Sequence, residues 1–145
     1  MSGLNDIPIN VEETSEGLRG NALPILHEIR HGLSRLAETG ETTLIDLHAI
    51  PFGPGDEDLL LSLLGRGEVE ASISALGPTR VWETQFPGVW LVDHCNANDE
   101  RIALHIEIAG IPDILRSQPQ DIAEAVARLD ARLAAGLDKT GHLQG

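Results

Sequence analysis

The chain has 145 residues, with ten Lys and Arg against 23 Asp and Glu, for a net charge of −13. A protein this acidic repels phosphate backbones and anionic lipid surfaces, and aromatics at 3% leave few rings to stack on single strands, so nucleic-acid binding is set aside. Hydrophobic residues at 41% suffice for one soluble domain with a core of Leu, Ile, Val and Ala; the lone Cys95 excludes an internal disulfide and multi-cysteine zinc sites, and no apolar run nears the roughly 20 residues of a membrane span.

Residues 1–20 are polar and aperiodic, a flexible lead-in with Ile7, Pro8 and Ile9 as a short docked strand. They lack the basic and apolar regions of a signal peptide, so the cytoplasm is the expected location. The domain proper is expected over residues 21–136, with a loose tail at 137–145. Ala22, Ile25, Leu26, Ile29, Leu33 and Leu36 recur on one face and predict a helix from Ala22 to about Thr39. Asn21 is its expected N-cap and Gly40 its stop, and Pro24 is tolerated in the first turn. A strand is expected over Thr42 to Ile50. A second helix is expected from Asp56 to Gly65, where Asp56, Glu57 and Asp58 suit the positive end of the helix dipole.

From Glu68 to Ile108 the apolar period drops to two, predicting strands near 68–76, 79–86, 89–96 and 101–108. Pro87-Gly88 marks a tight turn, and Asn96 to Glu100 a polar hairpin loop. Ile111 to Arg116 has the character of a short turn or a helix start. A last helix follows from Pro119 to Ala135, with Ser117 and Gln120 as its capping box and Ile122, Val126, Leu129 and Leu133 as its buried face. This order predicts an α+β fold: a largely antiparallel sheet of about four to five strands, with helices packed on one face.

His27-Glu28-Ile29-Arg30-His31 spells H-E-x-x-H, which on a helix can bring two histidines to zinc with the glutamate as general base. Here both histidines fall on the polar side of the helix, opposite Ile25, Ile29 and Leu36, and Arg30 sets a cation inside the motif. Glu57, His94 and His105 are the candidates for a third ligand, at no recognised spacing. A metal-binding protein or zinc-dependent hydrolase built on His27, Glu28 and His31 is thus the competing reading, set against a plain solvated helix face.

A second constellation is Asp93-His94-Cys95, with His105 and Glu107 on the next strand. If Pro87-Gly88 closes a two-residue turn and Cys95 pairs with Arg101, then Val81, Trp90, Val92, Ile102, Leu104 and Ile106 share one face. Trp82, Asp93, Cys95, His105 and Glu107 share the other. That polar face is either a solvated surface, a partner-facing one, or a weak metal site in which Cys95 and His105 join His27 and His31 as metal candidates. Trp90 goes with the core and Trp82 with the interface. Glu83 points with the apolar set and needs a hydrogen-bond or cation partner. Trp82, Glu83, Asp93, His94 and Cys95 are therefore the partner-binding candidates. P-loop, dinucleotide and nucleophile-elbow patterns are missing, so the chain is expected to act by contact, without a cofactor and not as an enzyme.

Four stretches carry a family resemblance: Leu63-Leu64-Gly65-Arg66-Gly67-Glu68-Val69, Glu83-Thr84-Gln85-Phe86-Pro87-Gly88-Val89-Trp90, Asp93-His94-Cys95-Asn96, and Ile111-Pro112-Asp113-Ile114-Leu115. In this order, over about residues 22 to 130, the chain resembles the HupH/HyaF family of hydrogenase expression and formation proteins. The resemblance implies a role in making a nickel–iron uptake hydrogenase. It implies help to the iron–sulfur small-subunit precursor before export, alongside other accessory proteins. Longer members carry about two copies of such a unit where this chain has one, so the resemblance implies either a single-unit homologue or a homodimer that replaces the missing copy. The family transfers no catalytic residues.

Overall fold

A computed structural model of the protein describes residues 20–75 and 77–136. The expectations for residues 1–19, including the strand at Ile7 to Ile9, and for the tail at 137–145 lie outside these. By its contacts the chain divides into two units, Met1–Pro112 and Asp113–Gly145.

In the first unit, α1 spans Ala22–Thr39 and buries Ala22, Ile25, Ile29 and Gly32. Its stop is Gly40, whose N–H donates to the Leu36 carbonyl at 2.9 Å. Asn21 precedes the helix without capping it through its side chain. That side chain instead donates to the Pro51 carbonyl at 2.7 Å, tying the start of α1 to the next loop. β1 covers only Thr43–Asp46 and not the expected run to Ile50. The Asp46 carboxylate accepts the His48 N–H at 3.0 Å and bends Leu47–Ala49 into a 3-10 turn. Such side-chain-to-backbone bonding competes with a strand, and here it wins.

α2 spans Asp56–Leu64. Asp56 is buried, and its carboxylate accepts the Gly53 N–H at 2.8 Å. It stands where the helix dipole favours a negative charge. The remaining strands are β2 (Glu70–Ala75), β3 (Gly77–Glu83), β4 (Val89–Cys95) and β5 (Arg101–Ile108). They join β1 in a fully antiparallel five-stranded sheet of order β1-β5-β4-β3-β2. One face of the sheet carries Ile45, Trp82, Val89, Leu91, Leu104, Ile106 and Ile108, which pack with Ala22, Ile25 and Ile29 of α1 and Leu60 and Leu64 of α2. Val81, Trp90 and Val92, of opposite parity, are buried as well. The α+β architecture with helices on one sheet face matches the sequence reading.

The second unit holds a 3-10 turn at Asp113–Leu115 and α3 at Pro119–Ala135, the predicted span. The expected capping box does not form. Gln118 is the N-cap and makes no side-chain cap, while Pro119 occupies the first turn. Proline there removes a donor that had no partner and presets φ, so the helix starts without a cap. Among the described residues of its own unit nothing covers the face expected to be buried, Ile122, Val126, Leu129 and Leu133.

Candidate functional site

The family-like stretches at 63–69 and 83–90 come together where α2 ends against the β3–β4 turn. The Gln85 N–H donates to the Leu64 carbonyl at 2.9 Å, and its side-chain amide donates to the Leu63 carbonyl, also at 2.9 Å. Gln85 thereby satisfies carbonyls that the end of α2 leaves open. The Gly67 N–H donates to the Glu83 carbonyl at 2.7 Å, and the Glu83 N–H to the Val69 carbonyl at 2.9 Å. A Cβ at Gly67 would lie 2.7 Å from the Thr84 carbonyl oxygen, so only glycine allows this approach. The buried Thr84 hydroxyl accepts the Phe86 N–H at 3.1 Å, and the Thr84 N–H closes the turn onto the Val89 carbonyl at 2.9 Å. Ala109 joins the same end, its N–H donating to the Gly88 carbonyl at 2.9 Å while its carbonyl accepts from Trp90 Nε1 at 3.1 Å.

This construction leaves Phe86, Leu63 and Val69 exposed at one end of the sheet. The Arg66 guanidinium lies 4.1 Å above the Trp82 ring and pairs with Glu70. Trp82 itself is only 8% exposed, on the helix-covered face rather than on a polar one. Glu83 is half-buried, with its backbone held from both sides as described.

At the opposite end of β4 the expected polar cluster is split in two. Cys95 does pair with Arg101, as the sequence reading assumed. A bulge at His94/Cys95 then passes over Ile102, so that His94 pairs with Ala103 and Val92 with His105. One extra residue reverses the facing of everything beyond it. Leu104 and Ile106 therefore turn to the helices with Trp82 and Leu91, not to the Val81, Trp90, Val92 side, and His105 and Glu107 take the face of Val92.

On the helix side, Asp93 and Cys95 are buried. Arg101 grips Asp93 with two bonds, Nε to Oδ1 at 2.9 Å and Nη2 to Oδ2 at 3.3 Å. Its Nη1 reaches Glu57 Oε2 at the start of α2 at 3.0 Å. Arg80 pairs with Asp99 at 3.0 Å and approaches Cys95 Sγ at 3.8 Å. Burial pushes the Cys95 thiol above its ordinary value, Asp93 and Asp99 add to this, and Arg80 opposes it. A thiol so placed is protonated at neutral pH and a poor nucleophile. On the other face His94 and His105 meet edge to face at 5.5 Å. His94 Nδ1 lies 3.2 Å from Thr79 Oγ1, and His105 Nε2 lies 3.8 Å from Asp46 Oδ1.

Cys95 and His105 thus stand on opposite faces. His27, Glu28 and His31 are exposed on α1. Among the described residues no three His, Cys, Asp or Glu side chains gather as metal ligands, and no helix is long and apolar enough to cross a membrane. The sequence reading missed Arg66, Arg80, Gln85 and Arg101. Arg101 had a signal: a carboxylate assigned to a sheet face two residues from Cys95, with Arg101 as the pairing partner of Cys95.

Residues 20–136 match the family described as "HupH hydrogenase expression protein, C-terminal conserved region". The chain is 34% identical over 119 residues to the hydrogenase expression/formation protein HoxQ of Azotobacter vinelandii, covering 81% of this chain and 42% of that protein. It is 32% identical over 111 residues to HupQ of Azotobacter chroococcum, covering 75% and 39%. It therefore spans under half the length of these curated relatives. The solved structure of hydrogenase expression protein HupH from Thiobacillus denitrificans superposes with a TM-score of 0.76 at 45% identity, covering 79% of this chain and 96% of that one. With the expected stretches and the expected fold both present, the chain belongs to the HupH hydrogenase expression protein family, through its C-terminal conserved region.

Proposed function

We propose that this protein is an accessory factor in the maturation of a membrane-bound nickel–iron uptake hydrogenase. It acts in the cytoplasm, without catalysis, by contact with the iron–sulfur small-subunit precursor and in company with other hydrogenase accessory proteins. The observation that carries this reading is the 45% identity across 79% of the chain to a hydrogenase expression protein.

The contact surface assigned to the precursor is the end of the sheet at the β3–β4 turn. There Phe86, Leu63 and Val69 expose apolar area beside the Arg66 guanidinium. An aromatic and an arginine together are the residue types that dominate protein interfaces. Trp82 serves this surface from beneath, as the platform for Arg66, and Glu83 anchors the strand that carries the turn. Asp93 and Cys95 do the same for Arg101 and Arg80 at the other end, with His94 on the opposite face.

The test is co-purification of the tagged protein with the small-subunit precursor. Saturable binding is expected, weaker for the mature subunit, and Phe86→Ala should weaken it by at least about tenfold, the loss typical of an interface anchor. No association with the small subunit in either form would defeat the reading.

A further inference from the structure

Phe86 is an exposed aromatic on a turn whose backbone is held at both of its polar groups. Its N–H donates to Thr84 Oγ1 at 3.1 Å. Its carbonyl accepts from the Thr84 hydroxyl at 3.2 Å and from the Val89 N–H at 2.9 Å. A single hydroxyl can serve both, since it carries one donor and two acceptor lone pairs. Pro87 follows, and a proline narrows the backbone choices of the residue before it.

Leu63, the exposed apolar neighbour at this end, belongs to a different element, the last turn of α2. One residue joins the two. Gln85 precedes Phe86 in the chain, and its side-chain amide donates across to the Leu63 carbonyl at 2.9 Å. Its N–H takes the next carbonyl, that of Leu64, at 2.9 Å. Gly65 leaves both carbonyls within reach: its φ of 65° turns the chain away after Leu64, a conformation that favours glycine. The bond from the Gln85 side chain lies at the surface, so water can replace it at small cost to the fold. What it sets is the spacing between Leu63 and Phe86.

We propose that Gln85 is a positioning residue for partner binding: its side chain fixes Leu63 and Phe86 relative to one another before the partner arrives. The partner then meets a pair of anchors already ordered, and association loses less conformational freedom. This rests on the contact surface proposed above for the small-subunit precursor.

The test combines amide hydrogen exchange on the full chain alone with calorimetric titration against the precursor. Gln85→Met keeps the length of the side chain and removes the donor. In this variant the amides of Gly65 and Phe86 should exchange roughly three- to tenfold faster, the range of one net hydrogen bond, with those of Leu91 and Val92 unchanged. Affinity for the precursor should fall by a similar factor, roughly three- to tenfold. A residue that only supports the fold lowers affinity in any background, whereas a positioning residue acts only while its anchors are present. Gln85→Met should therefore cost less than about twofold when added to Phe86→Ala. Unchanged exchange at Gly65 and Phe86 would overturn the proposal, because the side chain then holds nothing in place. An affinity indifferent to Gln85→Met, or lowered equally with and without Phe86, would overturn it as well. In both cases a wild type that binds confines the failure to Gln85. A wild type that binds neither precursor nor mature subunit defeats the proposed function, and the partner role of Gln85 with it.

Discussion

Asp93 shows how much one buried carboxylate can organise. It is 6% exposed, and its charge is tolerable because Arg101 grips it with two bonds and passes a third to Glu57. Removing the guanidinium would leave that charge buried without its cation, the costly way to break an ion pair. Arg101→Ala is expected to cost about 2 kcal/mol in urea unfolding, discounted because the arginine is partly exposed. Arg101→Lys should recover less than half of this, since an ammonium cannot reproduce the planar fork. A loss below about 0.5 kcal/mol would place the pair among ordinary surface bridges. Cys95 has a pH consequence. Its thiol titrates above the ordinary value of 9.0 in the folded chain, mainly through burial. Above that pH the unfolded chain ionises first. The contribution of the thiol to stability is thus full below pH 9.0 and falls as pH rises toward the folded value. Thermal melts should show a steeper alkaline decline in wild type than in Cys95→Ala; parallel declines would contradict it.

Elements were legible where pattern alone sets them. The periodicity from Ala22 and the proline at 119 locate α1 and α3, because helix faces and breakers are written locally. β5 shows the limit. Its span was readable, and so was the Cys95–Arg101 pair, but a bulge that passes over Ile102 is invisible to strict alternation. That one residue separates Cys95 from His105 and turns Leu104 and Ile106 to the core. The end of β1 was missed because a hydrogen bond from the His48 N–H to the Asp46 carboxylate outcompetes the ladder. Of the two glycines in the family-like stretch at 63–69, Gly67 is explained by packing between elements. A Cβ at Gly67 would meet the Thr84 carbonyl oxygen at 2.7 Å. Gly67→Ala is therefore expected to destabilise by about 1–3 kcal/mol, the usual cost of forcing atoms into a packed junction. A neutral result in thermal melts would show that the α2–β3 junction yields.

For the whole molecule, the class of fold and the family are legible in the residues, whereas what each surface meets is not. The stripe on α3 was recognisable as an apolar face, but periodicity cannot say whether such a face is covered or open. The same holds for the candidate site. Trp82, singled out for scarcity, lies under Arg66, and the exposed groups around it, Phe86 and Leu63, are ordinary in the sequence. The acidic balance bears on partner choice as well. At −13 the chain should favour basic partner segments, and such binding weakens with salt as the Debye length shrinks from about 10 Å at 0.1 M to about 3 Å at 1 M.

The most direct measurement is calorimetric titration of the full chain with the hydrogenase small-subunit precursor, alongside the mature subunit. The account predicts saturable binding to the precursor, weaker binding to the mature form, and a loss of about tenfold or more on Phe86→Ala in a protein that remains folded. Absence of binding to both forms, with wild type folded and the precursor competent for assembly, would contradict it.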